Sequence, residues 1–447
     1  MPPSTEKIEK YRRDILKIIW QAIDAVNPEN AIYKHFRLLY ENLHIDDRVI
    51  NISDFKRIHI IGAGKASTQM AKTVENILLR RLSGGLVCTK VGHATPLHNI
   101  AVMEAGHPLP DENSVLAAQR ALQLAHDCDK DDLIVCLLSG GASSLWCAPI
   151  SPITIRDKIE TNDLLLKCGA NIQEINAFRK HISRIKGGYL AQAAAPATVI
   201  TLAISDVIGD DLSCIGSGPT VADTTNYKQV FEVIEKYHLA KYLPKTVVEY
   251  IWNGYKKINK ETPKPSDSIF VKNVAAIISS NQQALDTAMD TGRYLGYKTY
   301  IYSSKLSGEA SIVSMKLVNK LKEMAKSHRP GDQPIMILAG GETTVMLRGK
   351  GKGGRNQHLA LAAAEALAGF DTSVIASIGT DGTDGPTDAA GAFADCTTLN
   401  RAKEKGLEIQ TFLNDFNSYK FFDSMGDLIK TGPTGTNVMD IQILIFG

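Results

Sequence analysis

The strongest constraint on the fold is a recurring unit, in which a short apolar run ends in a loop of Gly, Ser and Asp and a segment of helical periodicity follows. RIHIIGAG (57–64), DLIVCLLSGGASSL (132–145) and TVITLAISDVIGDD (198–211) are such runs, and GGLVCTK (84–90) is a further strand-like run between the first two. Between them, 66–82 and 108–127 have helical spacing, the second with Asp111 or Asn113 placed to cap it. Strands alternating with helices predict a mostly parallel sheet covered on both faces. The polar, Pro-containing stretch after residue 252 reads as a linker, and the strand-then-loop pattern then restarts. FVKNVAAIISSNQQAL, YKTYIYSSKL, PIMILAGGETTVML and SVIASIGTDGTDG are its units. The expected architecture is α/β: two α/β domains with mostly parallel sheets, over 1–252 and 266–447, joined by a linker at 253–265. The last run, MDIQILIFG, is a further strand whose sheet the pattern does not assign.

Composition narrows the function classes. A 447-residue chain with 44% hydrophobic and 22% charged residues is not disordered, and a net charge of +2 is no basic excess for nucleic acid. No apolar run approaches the ~18 residues of a membrane span; the nearest, Ala191–Ile204, is broken by Gln192, Pro196, Thr198 and Thr201. At the N-terminus Ile8, Tyr11, Ile15, Ile18, Ile19, Ala22 and Val26 fall at helical spacing, so an amphipathic surface helix is expected there rather than a targeting segment. The seven cysteines, 88, 128, 136, 147, 168, 214 and 396, include no C-x-x-C pair. They read as reduced core thiols of a cytoplasmic protein, a monomer or homodimer.

Chemistry concentrates in the loops at the strand ends, where open α/β sheets bind ligands. They are GAGKAS (62–67), SGGASS (139–144), SDVIGDD (205–211), SGPTVAD (217–223), GGETT (340–344) and GTDGTDGPTD (379–388). Glycine turns bring backbone N–H groups close to an anion, so Gly62, Gly64, Ser139, Gly140, Gly141 and Ser143 are the candidate phosphate-binding positions. GAGKAS departs from the dinucleotide fingerprint: Ser67 replaces the third glycine, and no acidic residue closes LVCTK. It is not a Walker A loop either. What remains is a tight turn presenting Lys65, suited to a carboxylate or phosphate.

In GKGKGGRNQ (349–357), Arg355 stands near a helix N-terminus, where an acidic residue would be favoured; a cation there makes sense if it shares an anion with the helix dipole. Asp206, Asp210 and Asp211 on one loop, and Asp381, Asp384 and Asp388 on another, are candidates for Mg²⁺ or for accepting a proton, each with the alternative of a turn or cap residue. Asp206 and Asp384 are the expected metal ligands. Glu342 is a substrate-site candidate, whereas His107 and His181 read as structural. Ser143 and Ser144 lack a G-x-S-x-G elbow, which argues against a serine hydrolase. Paired cationic and acidic loops fit phosphoryl transfer to a small anionic substrate best.

These loops resemble those of the class II glycerate kinases, whose C-terminal part is the MOFRL domain. The matching blocks are IGAGKAS, GHPLPDENS, LLSGGASSL, INAFRKHISRIKGG, ISDVIGDDLSCIGSGPT, GETTVMLRGKGKGGRNQ, GTDGTDGPTDAAGAF and TGPTGTNVMD, in order from about residue 60 to 440. The resemblance implies a Rossmann-like N-terminal domain, a MOFRL-type C-terminal domain and an active site in the cleft between them. It implies phosphorylation of D-glycerate to 2-phosphoglycerate with ATP and Mg²⁺. It carries Lys65 and Arg355 over as active-site cations also contacting substrate, and Asp206 and Asp381 as acidic partners. His358 stands where the family usually has Glu. Relatives labelled hydroxypyruvate reductase supply a competing NAD(P)H-dependent reading, and a non-catalytic anion sensor is the third.

Overall fold

The computed structural model describes residues 5–447, which form two compact units. One gathers residues 31–205 and 210–278; the other gathers the chain up to Asn30, the short segment Asp206–Gly209, and Ser279–Gly447.

The first unit opens with an antiparallel meander of β1 Phe36–Leu39, β2 Asn42–Ile45 and β3 Arg48–Asn51. Four-residue strands carry too little periodicity to be legible in the sequence. Its main sheet contains β4 Arg57–Ala63, β5 Gly84–Lys90, β6 Ile100–Ala105, β7 Asp132–Leu138, β8 Thr198–Ile204 and β9 Val274–Ser279, in the order β6-β5-β4-β7-β8-β9. The pairs β5/β6, β4/β5, β4/β7 and β7/β8 are parallel, as expected. Every residue of β7 and β8 is buried, which explains why these runs are continuously apolar rather than alternating. The chain steps outward from β4 through β5 to β6, then returns to β7 and continues on the other side. The order therefore reverses between β4 and β7, and the GAGKAS and SGGASS loops leave the carboxyl ends of those two strands.

The stretch expected as a linker is part of this unit. The helix Lys245–Tyr255 runs into it. Beyond the helix, Thr262 is buried and donates to Asp223 at 2.9 Å, and Glu261 accepts from the Tyr227 backbone N–H at 3.0 Å. Its polarity thus serves internal hydrogen bonds. The next apolar run, expected in the second domain, is β9, beside β8.

The second unit has a six-stranded sheet of β10 Lys298–Glu309, β11 Ile335–Thr344, β12 Ser373–Gly379, β13 Gly391–Asp395, β14 Leu428–Ile429 and β15 Asp440–Phe446, ordered β10-β11-β15-β12-β13-β14. It is α/β, but its sheet is mixed rather than mostly parallel: only β10/β11 is a parallel pair, and β15 runs antiparallel to both β11 and β12. An apolar run carries no sign of its direction, so this insertion of the final strand into the sheet centre was not legible. The helix Thr5–Ala25 belongs here too. Its apolar stripe, including Ile8, Tyr11, Ile15, Ile18, Ile19 and Ala22, is buried, and it packs on the helix Asn281–Tyr294. Polar contacts fix it: Tyr11 donates to the Gly447 carbonyl at 2.9 Å, Tyr297 to Asp14 at 2.5 Å, and Arg12 pairs with Asp395 and Asp427. Among the described residues no helix is long and apolar enough to cross a membrane. The seven cysteines are unpaired, five of them buried.

Candidate active site

At the β4/β7 reversal the two glycine loops are bonded to each other. The Lys65 backbone N–H donates to the Gly140 carbonyl at 2.9 Å, the Ala66 N–H to Ser139 Oγ at 3.1 Å, and the Ser139 N–H to the Ala63 carbonyl at 3.2 Å. This contact requires glycine at 64. Its φ is +140°, and a Cβ there would lie 2.0 Å from Ser139 Oγ. Ser139 is thus a structural acceptor. The Ser143 hydroxyl lies 3.0 Å from that of Ser217, tying the second loop to the SGPTVAD loop. Gly141, at φ +89°, leaves room for the Lys65 stem and the His107 ring.

Lys65 is half-buried, and its ammonium has no ion-pair partner among the described residues of its unit. His107 is pushed down to about 4 by burial and by Lys65, Lys90 and His93, so it is neutral at pH 7. A lysine ammonium with no ion-pair partner among the described residues of its unit, beside a neutral imidazole, is poised for an anion. His181 is structural: its Nδ1 lies 2.8 Å from the Ala177 carbonyl and its Nε2 3.2 Å from Glu261.

In the second unit Arg355 is the hub. It donates to both oxygens of Asp440, at 2.7 and 2.9 Å, and to Glu342 at 2.6 Å. Against the cost of burial, Asp440 and Glu342 hold the guanidinium above its ordinary range. Asp440, fully buried, is pushed up to about 6 by burial in spite of Arg355. Because β15 runs antiparallel to its neighbours, its first residue, Asp440, registers with Gly341 near the end of β11 and Gly379 at the end of β12. The sequence reading missed Asp440; its signal is an acidic residue opening an otherwise apolar strand.

The acidic candidates separate. Asp381 half-closes a turn, its Oδ1 accepting from the Thr383 N–H and hydroxyl, both at 3.0 Å. Asp384, expected to hold metal, instead caps the helix Arg355–Leu367. Both its oxygens accept backbone N–H groups, from Asn356 at 3.0 Å and Gln357 at 2.8 Å, and it is buried. Asp388 is exposed and pairs with Lys430 at 3.0 Å and Tyr419 at 2.7 Å. Asp206 is half-buried, two residues past β8, and Asp211 accepts from the Ser213 N–H at 2.8 Å. Among the described residues no group of three His, Cys, Asp or Glu is arranged to hold a metal. His358 packs flat on Phe416, with its Nε2 3.0 Å from the Ser311 hydroxyl, so the departure from the family's Glu is filled by packing. The GKGKGG loop is pinned by the Asp415 and Asn417 side chains, which accept from Lys350 N and Lys352 N at 3.0 and 3.2 Å.

The sequence reading also missed a set of cations in the first unit. Lys158, Arg179 and Lys186 line a cavity of about 310 Å³ beside Gly141, Ser143 and His107. Arg179 and Lys186 leave a trace in the sequence, the basic run FRKHISRIK threaded through apolar residues, whereas Lys158 lies apart from it in IRDKIE.

A lysine-bearing glycine turn bonded to a second glycine turn at a strand-order reversal, with a second unit built around a half-buried arginine paired to a buried carboxylate, defines an α/β enzyme that handles small anions. Residues 14–252 match a family described as a domain of unknown function, DUF4147, and residues 335–440 match the MOFRL family. Glycerate 2-kinase of Pyrococcus horikoshii is 39% identical over 96% of this chain and 96% of its own length. D-glycerate 2-kinase of Thermotoga maritima is 36% identical over 97% of this chain and 98% of its own. The crystal structure of a glycerate kinase from Thermotoga maritima superposes with a TM-score of 0.86 at 35% identity, covering 98% of this chain and all of that one. The chain belongs to the glycerate 2-kinase family.

Proposed function

We propose that the protein transfers the γ-phosphoryl group of ATP to the 2-hydroxyl of D-glycerate, giving 2-phosphoglycerate and ADP, with Mg²⁺ accompanying the nucleotide. The observation that carries this reading is the Lys65 ammonium, without an ion-pair partner among the described residues of its unit, beside the two interlocked glycine loops. In the reaction the 2-hydroxyl oxygen bonds to the γ-phosphorus, the bond from that phosphorus to the β,γ-bridging oxygen breaks, and the hydroxyl proton passes to a carboxylate. Lys65 and Arg355 serve the substrate carboxylate and the charge on the phosphoryl group, with Glu342 and Asp440 orienting Arg355. Asp206 and Asp381 are the candidates for the proton. Mg²⁺ bound to a triphosphate takes one or two carboxylates and keeps its waters. The half-buried Asp206 and Asp381 are the candidates for that need, whereas both oxygens of the buried Asp384 accept backbone N–H groups at the start of a helix. The ion supplies charge neutralisation on the phosphates. Seven unpaired thiols accord with a cytoplasmic enzyme.

The reductase alternative lacks its site. The turn after β4 has Ser67 in place of the third glycine, and β5 ends at Lys90 rather than an acidic residue. A coupled ADP-release assay with ATP, Mg²⁺ and D-glycerate tests the proposal. Wild type should release ADP only with glycerate present, and Lys65→Ala should lose about 10²-fold or more in kcat/KM. Consumption of NAD(P)H on hydroxypyruvate with no ADP release would replace the kinase by the reductase.

A further inference from the structure

The cavity beside the SGGASS loop is more than a three-carbon acid needs. One wall is apolar, with Leu165 and Phe178 buried in it and Leu109 and Leu166, 63% and 58% exposed, at its mouth. The lining also carries Lys158, on the same face of the helix Ile155–Lys167 as Leu165, together with Arg179 and Lys186, and among the described residues lining the cavity none is acidic.

Donor capacity there is unspent. Lys186 Nζ uses two of its three protons, on the Ser143 carbonyl at 2.9 Å and the Gly216 carbonyl at 3.3 Å. Lys158 makes a single contact of 3.4 Å, to the Ile182 carbonyl. Among the described residues Arg179 donates only to Asn162 Oδ1, at 2.9 and 2.6 Å. Thr161, 1% exposed and in the cavity wall, has a hydroxyl without a partner. Burial lowers all three cations from their ordinary range, and mutual repulsion adds to this at Lys186 and Lys158. Such a set is stabilised by an anion brought in from outside.

We propose that this cavity is the nucleotide pocket. The base lies against Leu109, Leu165, Leu166 and Phe178. The phosphates run past Lys186 and Ser143 to Gly141, where the Lys65 stem adjoins. D-glycerate has three carbons, all bearing oxygen, and offers this apolar wall nothing. A nucleoside triphosphate has both an apolar face and several charges. That choice of ligand rests on the kinase reading above.

The test uses the full chain with 8-azido-ATP, peptide mapping of the photolabel, and titration of fluorescent mant-ATP. Label that excess ATP suppresses should fall on residues 107–110 or 155–182. In the titration, Arg179→Met should raise the Kd about 10-fold, the scale of a lost charged hydrogen bond. Leu166→Glu, at an exposed position that tolerates substitution, should raise it by a similar factor, because a carboxylate replaces the apolar surface set against the base. Protectable label found only elsewhere, or a Kd unmoved in both variants while wild type still phosphorylates glycerate, would overturn the pocket and leave the kinase standing. Wild type that neither binds mant-ATP nor turns over would overturn both.

Discussion

Arg355→Met breaks a pair whose acidic member, Asp440, has no exposed side-chain surface, while Arg355 itself keeps 33%. Removing one partner of a buried pair costs about 3–5 kcal/mol, and water reaching the arginine favours the lower end, ~3 kcal/mol. The loss depends on pH with a definite sign. In the wild type, burial and Arg355 together leave Asp440 at about 6, against 3.8 when unfolded. Without Arg355 the folded carboxyl titrates higher still. The variant's folded state then holds a proton that the unfolded chain lacks, and it loses stability as pH rises, at ~1.4 kcal/mol per unit. In the wild type that loss ends near pH 6. The gap between the two proteins therefore opens above pH 6 and reaches about 3 kcal/mol near pH 8, by the same slope. Urea titrations at several pH values measure it directly. Arg355→Met/Asp440→Asn should recover most of the stability, because the stranded charge is gone, and yet stay about 10²-fold down in kcat/KM. A gap that is the same at pH 6 and pH 8, or a double variant that regains turnover, would refute this account of Arg355.

Gly64→Ala forces a side chain into φ +140° and against Ser139 Oγ at 2.0 Å. It should cost at least ~1–3 kcal/mol from backbone strain alone and lower kcat/KM with it, read by thermal denaturation and turnover. Asp384→Ala strands two buried N–H groups of the helix Arg355–Leu367 and should cost ~1–3 kcal/mol. Asp384→Asn should leave the Mg²⁺ dependence of turnover unchanged, and a raised Mg²⁺ requirement would restore Asp384 as a ligand. Against burial, which raises it, Glu261 is held down to about 2, from 4.5, by His181, the Tyr227 N–H and Lys264. Its contribution is complete above pH 4.5 and is lost as pH falls toward 2. Glu261→Gln should therefore be less stable than wild type at pH 7, with the difference shrinking below pH 4.5; a constant difference would contradict it.

The legible part of the fold was its local part. β4, β5, β7 and β8 lie on the apolar runs, β4 and β7 where such a run passes into a glycine turn, and the buried stripe of the helix Thr5–Ala25 is the one its spacing predicts. What stayed hidden depends on long-range pairing. Nothing in MDIQILIFG says that it enters between β11 and β12, and nothing in the N-terminal helix says that it packs on Asn281–Tyr294. The polar stretch after residue 252 looks like a linker because its hydrogen-bond partners, Asp223, Tyr227 and His181, are distant in sequence. The same holds for the candidate site. Lys65 and Arg355 were visible because they break the expected chemistry of a turn and a helix start. Asp440 and the cavity cations were not, because their meaning depends on neighbours brought together by the sheet and by the helices Ile155–Lys167 and Ile172–His181.

The most direct test of the central claim is the position of phosphate on the product, read by ³¹P NMR after incubating the full chain with D-glycerate, ATP and Mg²⁺. The account predicts a single new phosphomonoester, on the 2-oxygen, growing in step with ADP. Phosphate on the 3-oxygen would contradict the 2-hydroxyl as acceptor, and no phosphomonoester at all would contradict the kinase.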